Sequence, residues 1–200
     1  MKRNLAIFDF DGTLFDTVPA NHAAYAYALA PYGVALALEY FAEKCNGRYY
    51  KAFLPELLGT SDAEKLEAVH RAKIQCYPKF YGKVRENTAL FSILNALSES
   101  YHIALVSTAA KESVMDILEL FHRKDAFELI LTQEDVPRKK PAPDGFLMAM
   151  EHFQVPPEHT VIFEDSPEGE AAAKAAGASC LMVRNFSDME RASLYGKKGL

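Results

Sequence analysis

The chain is poor in cysteine, carries no excess of positive charge and lacks long apolar runs, and each shortage argues against a class of protein. Its three cysteines, Cys45, Cys76 and Cys180, are widely spaced and form no CxxC pair, so we expect reduced thiols rather than a disulfide framework or a zinc site. A formal net charge of −5 argues against nucleic-acid binding, which requires concentrated lysine and arginine. No stretch reaches membrane-spanning length or resembles a secretion signal, so we expect a cytoplasmic protein without a membrane partner.

Five short apolar runs have the composition of strands that are buried on both faces. They are rich in Ile, Leu, Val and Phe and do not alternate with polar residues. Helical patterns separate the last four runs, so the chain predicts parallel β-α-β units. The predicted strands span residues 5–10, 103–107, 129–132, 161–164 and 180–183, and the predicted helices span residues 112–121, 144–153 and 167–177.

The segment between the first two predicted strands is the exception to this alternation. From about residue 16 to residue 84 it contains helical patterns, at 18–32, 38–45, 51–58 and 63–77, and no convincing strand. A connection of this length cannot be a structureless crossover in a compact domain. We therefore predict a core domain made of residues 1–15 and 85–200 and an inserted helical domain made of residues 16–84.

Two carboxylates, Asp9 and Asp11, end the first predicted strand. Residues i and i+2 of an extended chain point to the same side, so the two like charges repel unless a cation lies beside them. Gly12 then permits a tight turn and a close approach of the backbone. This arrangement is typical of a site for a hard divalent metal next to an attacking carboxylate, and a strand that ends in an acidic turn is the alternative.

Polar side chains also end two other strands of the predicted sheet. Ser107 closes the second strand, and Glu164 and Asp165 close the fourth. Ligands of open α/β sheets bind beyond the carboxyl ends of the strands. We therefore expect these side chains to converge with Asp9 and Asp11 on one crevice.

Four segments, in this order, resemble the motifs of the haloacid dehalogenase (HAD) superfamily of aspartate-nucleophile phosphatases. They are residues 9–17 (DFDGTLFDT), Ser107 after the apolar run 103–106, residues 140–144 (KPAPD), and residues 164–166 (EDS) followed by Gly169 and an alanine-rich stretch. The chain looks most similar to the branch that contains phosphoglycolate phosphatases and β-phosphoglucomutases. The resemblance implies a Rossmann-like, doubly wound parallel sheet with an inserted α-helical cap, and a HAD-like phosphoric monoester hydrolase that acts on a small phosphorylated metabolite.

The resemblance also implies a role for each acidic motif residue. Asp9 is the implied nucleophile that forms an aspartyl-phosphate, and the Asp11 side chain is the implied acid and base for the leaving oxygen and the hydrolytic water. Mg²⁺ is the implied cofactor, held by the Asp9 carboxylate, the Asp11 carbonyl oxygen and Asp165, with Glu164 in a supporting position.

Phosphate recognition requires a second cation and hydrogen-bond donors. Four carboxylates and a phosphate dianion far exceed the charge of one Mg²⁺, and Lys140 fits as a fixed point charge. Ser107 offers a hydroxyl next to backbone N–H groups that can donate to phosphoryl oxygens, and Thr108 is its rival for this role. Arg48 and Lys51, in the insert, are candidates for contacting the rest of the substrate, and solvated charges on a helical surface are an equal alternative.

A phosphosugar mutase and a non-catalytic phosphate-binding module are the alternative functions. The mutase-like proteins carry a histidine twelve residues after the nucleophile, where this chain has Asn21, with His22 one position further on. One helical position turns a side chain by about 100°, so packing is the expected role of His22. A non-catalytic module should have lost at least one key position, and all of them are intact. We expect a monomer or a weak homodimer.

Overall fold

A five-stranded parallel sheet forms the centre of the first of two units in the computed structural model, which describes residues 2–184 and residue 186. The first unit comprises the described residues up to Asp16 and from Glu86 onwards, and the second comprises Thr17–Arg85. The strands are β1 (Asn4–Phe8), β2 (Phe15–Asp16), β3 (Arg85–Glu86), β4 (Tyr101–Val106), β5 (Leu129–Leu131), β6 (Thr160–Glu164) and β7 (Ser179–Met182). The helices are α1 (Val18–Leu29), α2 (Leu38–Tyr40), α3 (Leu54–Leu58), α4 (Ala63–Cys76), α5 (Thr88–Leu97), α6 (Lys111–Leu120), α7 (Asp144–Phe153) and α8 (Pro167–Ala175).

The strand order β5-β4-β1-β6-β7 puts β1 in the middle of the sheet, parallel to both neighbours. Because β4 and β5 lie on one side of β1 and β6 and β7 on the other, the strand order reverses at β1. Phe8, the last residue of β1, is level with Leu105 of β4 and Phe163 of β6. The residues that follow these three positions are therefore neighbours at the carboxyl edge of the sheet. The predicted doubly wound parallel sheet is confirmed, with helices on both of its faces.

Alternate side chains of β1 enter the hydrophobic core that α7 and α8 cover. Leu5 and Ile7 are fully buried in one cluster with Phe146 of α7 and with Ala172 and Ala173 of α8. Ala6 and Phe8, which alternate with these residues along β1, are fully buried as well. Burial on both faces explains why the central strands have continuous apolar sequences.

The first strand ends two residues earlier than predicted. It ends at Phe8, because the carbonyl oxygen of Phe10 already accepts turn hydrogen bonds from Leu14 N at 3.1 Å and Phe15 N at 2.9 Å. The other predicted strands differ from the observed ones by one or two residues at an end.

Helix α5 is absent from the sequence prediction. It begins after Asn87, whose side chain caps it by accepting a hydrogen bond from Leu90 N at 3.0 Å. Leu90, Phe91 and Leu94 are buried at the three- and four-residue spacing of an amphipathic helix. Phe91 packs against Phe15, with ring centroids 5.5 Å apart. The signal for this helix is therefore present in the stretch between the insert and the second predicted strand.

Helices, with short 3₁₀ and π segments, build the second unit. The helix predicted over 18–32 is α1 followed by a 3₁₀ turn at Ala30–Tyr32, where Pro31 cannot continue the hydrogen-bond ladder. The helix predicted over 38–45 is α2 followed by a π-helical segment at Phe41–Cys45. Leu29, Phe41 and Val69 are nearly fully buried in the core of this unit. Among the described residues of either unit, no helix combines the length and the apolar character needed to cross a membrane.

Ile162 and Ile93 give a matched test of the core packing. Ile162 in β6 is fully buried, whereas Ile93 on α5 is 48% exposed. We predict that Ile162→Ala lowers the free energy of unfolding by about 2–5 kcal/mol, because the deletion leaves a cavity. Ile93→Ala should change it by about 0.5 kcal/mol or less. Urea denaturation followed by circular dichroism measures both, and equal losses would contradict the described packing.

Candidate active site

Asp9 lies at the carboxyl end of β1, between the ends of β4 and β6. Its backbone N–H donates to the Phe163 carbonyl oxygen at 2.9 Å, which continues the ladder one step beyond β1. The residue is only 6% exposed. A carboxylate that is buried to this extent requires either a positively charged partner or a bound proton.

Lys140 is that partner. Its ammonium group donates to Asp9 Oδ1 at 2.5 Å, to Glu164 Oε1 at 2.7 Å and to the Val106 carbonyl oxygen at 3.1 Å. These three acceptors match its three N–H donors, and they come from the ends of β1, β6 and β4. The Lys140 side chain is 7% exposed, so a nearly dry ammonium group joins the three central strands.

The loop that carries Lys140 is closed by an ion pair. Arg138 Nε and Nη2 each donate to one oxygen of Asp144 at 3.0 Å, which is the bidentate geometry of a strong pair. Asp144 is the first residue of α7, where the helix dipole favours a negative charge. Lys139 donates to Gln133 Oε1 at 2.6 Å. These contacts fix the loop on both sides of Lys140.

Glu164 combines a contact to Lys140 with contacts to the start of α8. Its Oε2 accepts hydrogen bonds from the backbone N–H groups of Asp165 and Ser166, both at 2.8 Å, and from Ser166 Oγ at 2.9 Å. Ser166 also caps α8 by accepting from Gly169 N at 3.0 Å. The carboxylate thus lies where the helix dipole favours it. A β-carbon at Gly169 would overlap the Glu164 carboxylate, so this position has no room for a side chain.

Asp165 lies beside the turn that follows Asp9. Its Oδ1 accepts a hydrogen bond from Thr13 Oγ1 at 3.2 Å, and a β-carbon at Gly12 would overlap its carboxylate. Gly12 has a φ of 83°, a left-handed conformation that favours glycine. Carboxylate oxygens of Asp9, Glu164 and Asp165 lie within 4.8 Å of one another. The segment that contains Asp9, Gly12 and Thr13 therefore meets the segment that contains Glu164 and Asp165, although the two are far apart in the chain.

The carboxylates of the site carry more negative charge than the one lysine compensates. Burial raises the pKa of Asp9 to about 8, although the charge of Lys140 opposes the shift. Partial burial raises the pKa of Asp165 to about 6, and the charges of Glu164 and Asp11 add to this shift. Burial by itself lowers the pKa of Lys140, but the charges of Asp9 and Glu164 outweigh it and raise that pKa.

The donor set fits a hard divalent cation such as Mg²⁺. Asp9 and Asp165 have carboxylate oxygens close enough to share an ion, and Asp165 is open to solvent, which suits the water ligands that Mg²⁺ keeps. The pKa values of Asp9 and Asp165 are raised first by burial and also by the neighbouring carboxylates, and a bound cation would oppose both effects. Both oxygens of Glu164 already accept hydrogen bonds, so its carboxylate is better suited to holding Lys140 and α8 than to ligation.

Ser107 and Thr108 follow β4 and differ in exposure. Ser107 is 2% exposed, and its backbone N–H donates to the Leu131 carbonyl oxygen at 2.9 Å. Its Oγ accepts a hydrogen bond from Ala109 N at 3.0 Å and so shapes the turn after the strand. Thr108 is exposed to solvent. Both predicted hydroxyls therefore lie at the carboxyl edge of the sheet, where that of Ser107 is buried and Thr108 is exposed.

Arg48, Lys51 and His22 lie in the second unit, where each has a structural contact. The Arg48 guanidinium donates to the backbone carbonyl oxygens of Lys44 and Ala52, in the short helical segments on either side of it, at 2.6 and 3.2 Å. The Lys51 ammonium lies 5.6 Å from the centre of a neighbouring tyrosine ring. His22 Nε2 is hydrogen-bonded to the Leu36 carbonyl oxygen at 2.7 Å, in agreement with a packing role. The assignment of Arg48 and Lys51 to substrate binding stays a prediction.

Thr13, Ser166 and Gly169 are absent from the predicted set of site residues. All three stand inside the motif segments, so their position in the sequence is itself a signal. Their roles depend on contacts in the folded protein, which composition and periodicity do not predict. The hydrogen bond from Thr13 to Asp165, for example, joins residues 152 positions apart.

Comparison with known proteins identifies the family. A family model described as haloacid dehalogenase-like hydrolase matches residues 6–183. This chain belongs to the haloacid dehalogenase-like hydrolases. The predicted family and class of enzyme are confirmed. Relatives named as phosphoglycolate phosphatases and a structural neighbour named as a β-phosphoglucomutase confirm the predicted branch.

Individual HAD-like relatives resemble the chain over most of its length. Protein CbbY of Rhodobacter capsulatus is 30% identical over 92% of this chain and 86% of its own. A phosphoglycolate phosphatase of Nitrosospira multiformis is 29% identical over 88% of this chain and 81% of its own. The crystal structure of CbbY from Rhodobacter sphaeroides in complex with phosphate has a TM-score of 0.74 and 25% identity, and the match covers 91% of this chain and 86% of that one.

The contact between Gly169 and Glu164 gives a test of the site in this HAD-like hydrolase. We predict that Gly169→Ala lowers the free energy of unfolding by about 1–3 kcal/mol, because the added β-carbon must displace the Glu164 carboxylate. Gly82→Ala is the matched control, since a β-carbon at Gly82 meets no atom within 4 Å. Thermal and urea unfolding measure both variants. An unchanged stability of Gly169→Ala would show that the Glu164 carboxylate is not held as described.

Proposed function

We propose that this protein is a Mg²⁺-dependent phosphatase that hydrolyses a small phosphorylated metabolite through an aspartyl-phosphate on Asp9. The observation that carries the proposal is the convergence of Asp9, Glu164 and Asp165 within 4.8 Å of one another, with the Lys140 ammonium bound to the first two. The relative named as a phosphoglycolate phosphatase and the phosphate bound to a CbbY structure support the same class of substrate.

Asp9 and Asp11 perform the bond changes in the proposed reaction. An oxygen of Asp9 forms a bond to phosphorus while the bond between phosphorus and the ester oxygen breaks, and Asp11 donates a proton to the departing oxygen. Water then attacks the aspartyl-phosphate, Asp11 accepts its proton, and inorganic phosphate leaves as the Asp9 carboxylate is restored. The Lys140 ammonium holds one oxygen of Asp9 and thus restricts the direction of attack.

Negative charge is the main obstacle to this reaction, because a phosphate dianion must approach the ionised Asp9. Mg²⁺, when bound, neutralises charge on the phosphoryl oxygens and on the nucleophile. The Asp9 carboxylate, the Asp11 carbonyl oxygen and Asp165 are the groups that would hold it. Lys140 supplies the second positive charge, and Ser107 is the proposed hydroxyl donor to the phosphoryl group, with Thr108 as its alternative.

Hydrolysis is favoured over transfer between sugar hydroxyls. The position at which mutase-like proteins carry a histidine holds Asn21 in this chain. The neighbouring His22 is bound to a backbone carbonyl oxygen within the second unit. Arg48 and Lys51 are the residues that we propose for contacts with the rest of the substrate.

Replacement of the nucleophile tests the reaction. We predict that Asp9→Asn lowers turnover by at least about 1,000-fold, because an amide cannot form the aspartyl-phosphate. Asp125→Asn, which alters an exposed aspartate, should keep wild-type turnover. Phosphate release from a panel of sugar phosphates, nucleotides and small phosphorylated acids is the measurement. Full turnover by Asp9→Asn would refute the assignment, and conversion of a hexose 1-phosphate to its isomer would identify a mutase.

Removal of the metal tests the cofactor. We predict that EDTA abolishes turnover and that added Mg²⁺ restores it, because no fixed cation besides Lys140 is assigned to the phosphoryl group. Calorimetric titration should detect Mg²⁺ binding to the wild-type protein and to Asp125→Asn. The same titration of Asp165→Asn should give an affinity at least about tenfold weaker, since a ligand is lost. Undiminished turnover in EDTA would contradict the proposal.

A further inference from the structure

We infer that Asn87 is a positioning residue for Asp165: its side-chain amide fixes the backbone of Thr13, and the Thr13 hydroxyl orients the Asp165 carboxylate. The inference rests on the proposed function, because Asp165 is a ligand of the proposed Mg²⁺ site. Asn87 lies outside the four motif segments and directly follows β3, where the chain returns to the first unit.

Asn87 joins the turn after Asp9 to the start of α5. Its backbone N–H donates to the Leu14 carbonyl oxygen at 2.8 Å, and its Nδ2 donates to the Thr13 carbonyl oxygen at 3.1 Å. Its Oδ1 accepts from Leu90 N at 3.0 Å. Nδ2 can only donate and Oδ1 can only accept, so a single orientation of the amide satisfies both partners. The residue is 5% exposed, and these bonds form away from water.

The bond to Thr13 explains why the residue is an asparagine. Capping of α5 needs only a side-chain oxygen, and serine or aspartate provides one equally well. The Nδ2 donor is the group that these alternatives lack. Its acceptor lies two residues after Asp11, in the turn that also contains Gly12.

Thr13 connects this turn to Asp165. Its side chain is fully buried, and its Oγ1 donates to Asp165 Oδ1 at 3.2 Å. The neighbouring Gly12 approaches the same carboxylate so closely that it has no room for a β-carbon. A displacement of the Thr13 backbone would therefore change both contacts to Asp165. Groups that orient a metal ligand in this way commonly alter metal affinity when they are removed.

Asn87→Ser separates the two roles of the side chain, because serine keeps the capping oxygen and removes the amide. We expect the Mg²⁺ dissociation constant, measured by calorimetric titration of the full chain, to rise by about tenfold. The melting temperature in EDTA should fall moderately, because the Thr13 carbonyl oxygen loses its buried donor while the cap is kept. Asn87→Ala should bind Mg²⁺ as weakly and melt at a still lower temperature, since it also loses the cap. Asn87→Asp, a second variant that keeps the cap, should also bind more weakly.

Two further variants decide whether the effect passes through Thr13. Thr13→Val removes the hydroxyl donor to Asp165, and the double variant with Asn87→Ser should bind Mg²⁺ no more weakly than Thr13→Val alone. Asp62→Ser exchanges a capping residue of α4 in the second unit and should leave the affinity unchanged.

Wild-type affinity in Asn87→Ser, or additive losses in the double variant, would overturn this inference while leaving the proposed function standing. A wild-type protein that binds no Mg²⁺ would overturn both.

Discussion

The site depends on one nearly dry ammonium group. Lys140 is bound to Asp9, Glu164 and the end of β4, so the charges of residues from three separate segments are compensated at one point. Each of these groups alone would be costly to remove from water, and the arrangement is stable only because every N–H donor of the lysine has an acceptor. The middle strand of the sheet can therefore end in a buried carboxylate, which is the group that the proposed chemistry needs.

Small residues and helix ends adapt the fold to this concentration of charge. Gly12 and Gly169 lie where a β-carbon would overlap the carboxylates of Asp165 and Glu164. The N-terminus of α8 and its Ser166 cap receive the Glu164 carboxylate. Backbone N–H groups and a helix dipole compensate this charge without a second cation. Asp165 consequently stays open to solvent at the edge of the site, where an ion with water ligands can bind.

Local patterns were sufficient for most of the sheet and for the acidic motif. Continuous apolar runs mark strands buried on both faces, and the acids that follow them must lie at the carboxyl edge because parallel strands share it. The helix over residues 144–153 has the predicted bounds. The start of α5 and the roles of Asn87 and Thr13 were not predicted. Their function consists of hydrogen bonds to segments 74 and 152 positions away, which periodicity does not encode.

By itself, the sequence determined which residues end the strands and hence the chemical composition of the site, because strand formation and side-chain alternation depend on near neighbours in the chain. Only the tertiary structure decided how the carboxylates of Asp9, Glu164 and Asp165 differ in their contacts and exposure. Glu164 is saturated by Lys140 and the start of α8, whereas Asp165 is exposed and held by Thr13. The contact of Glu164 with Lys140 spans 24 positions of the chain and that of Asp165 with Thr13 spans 152. Electrostatic and hydrogen-bond energies depend on distances in space rather than on order in the chain.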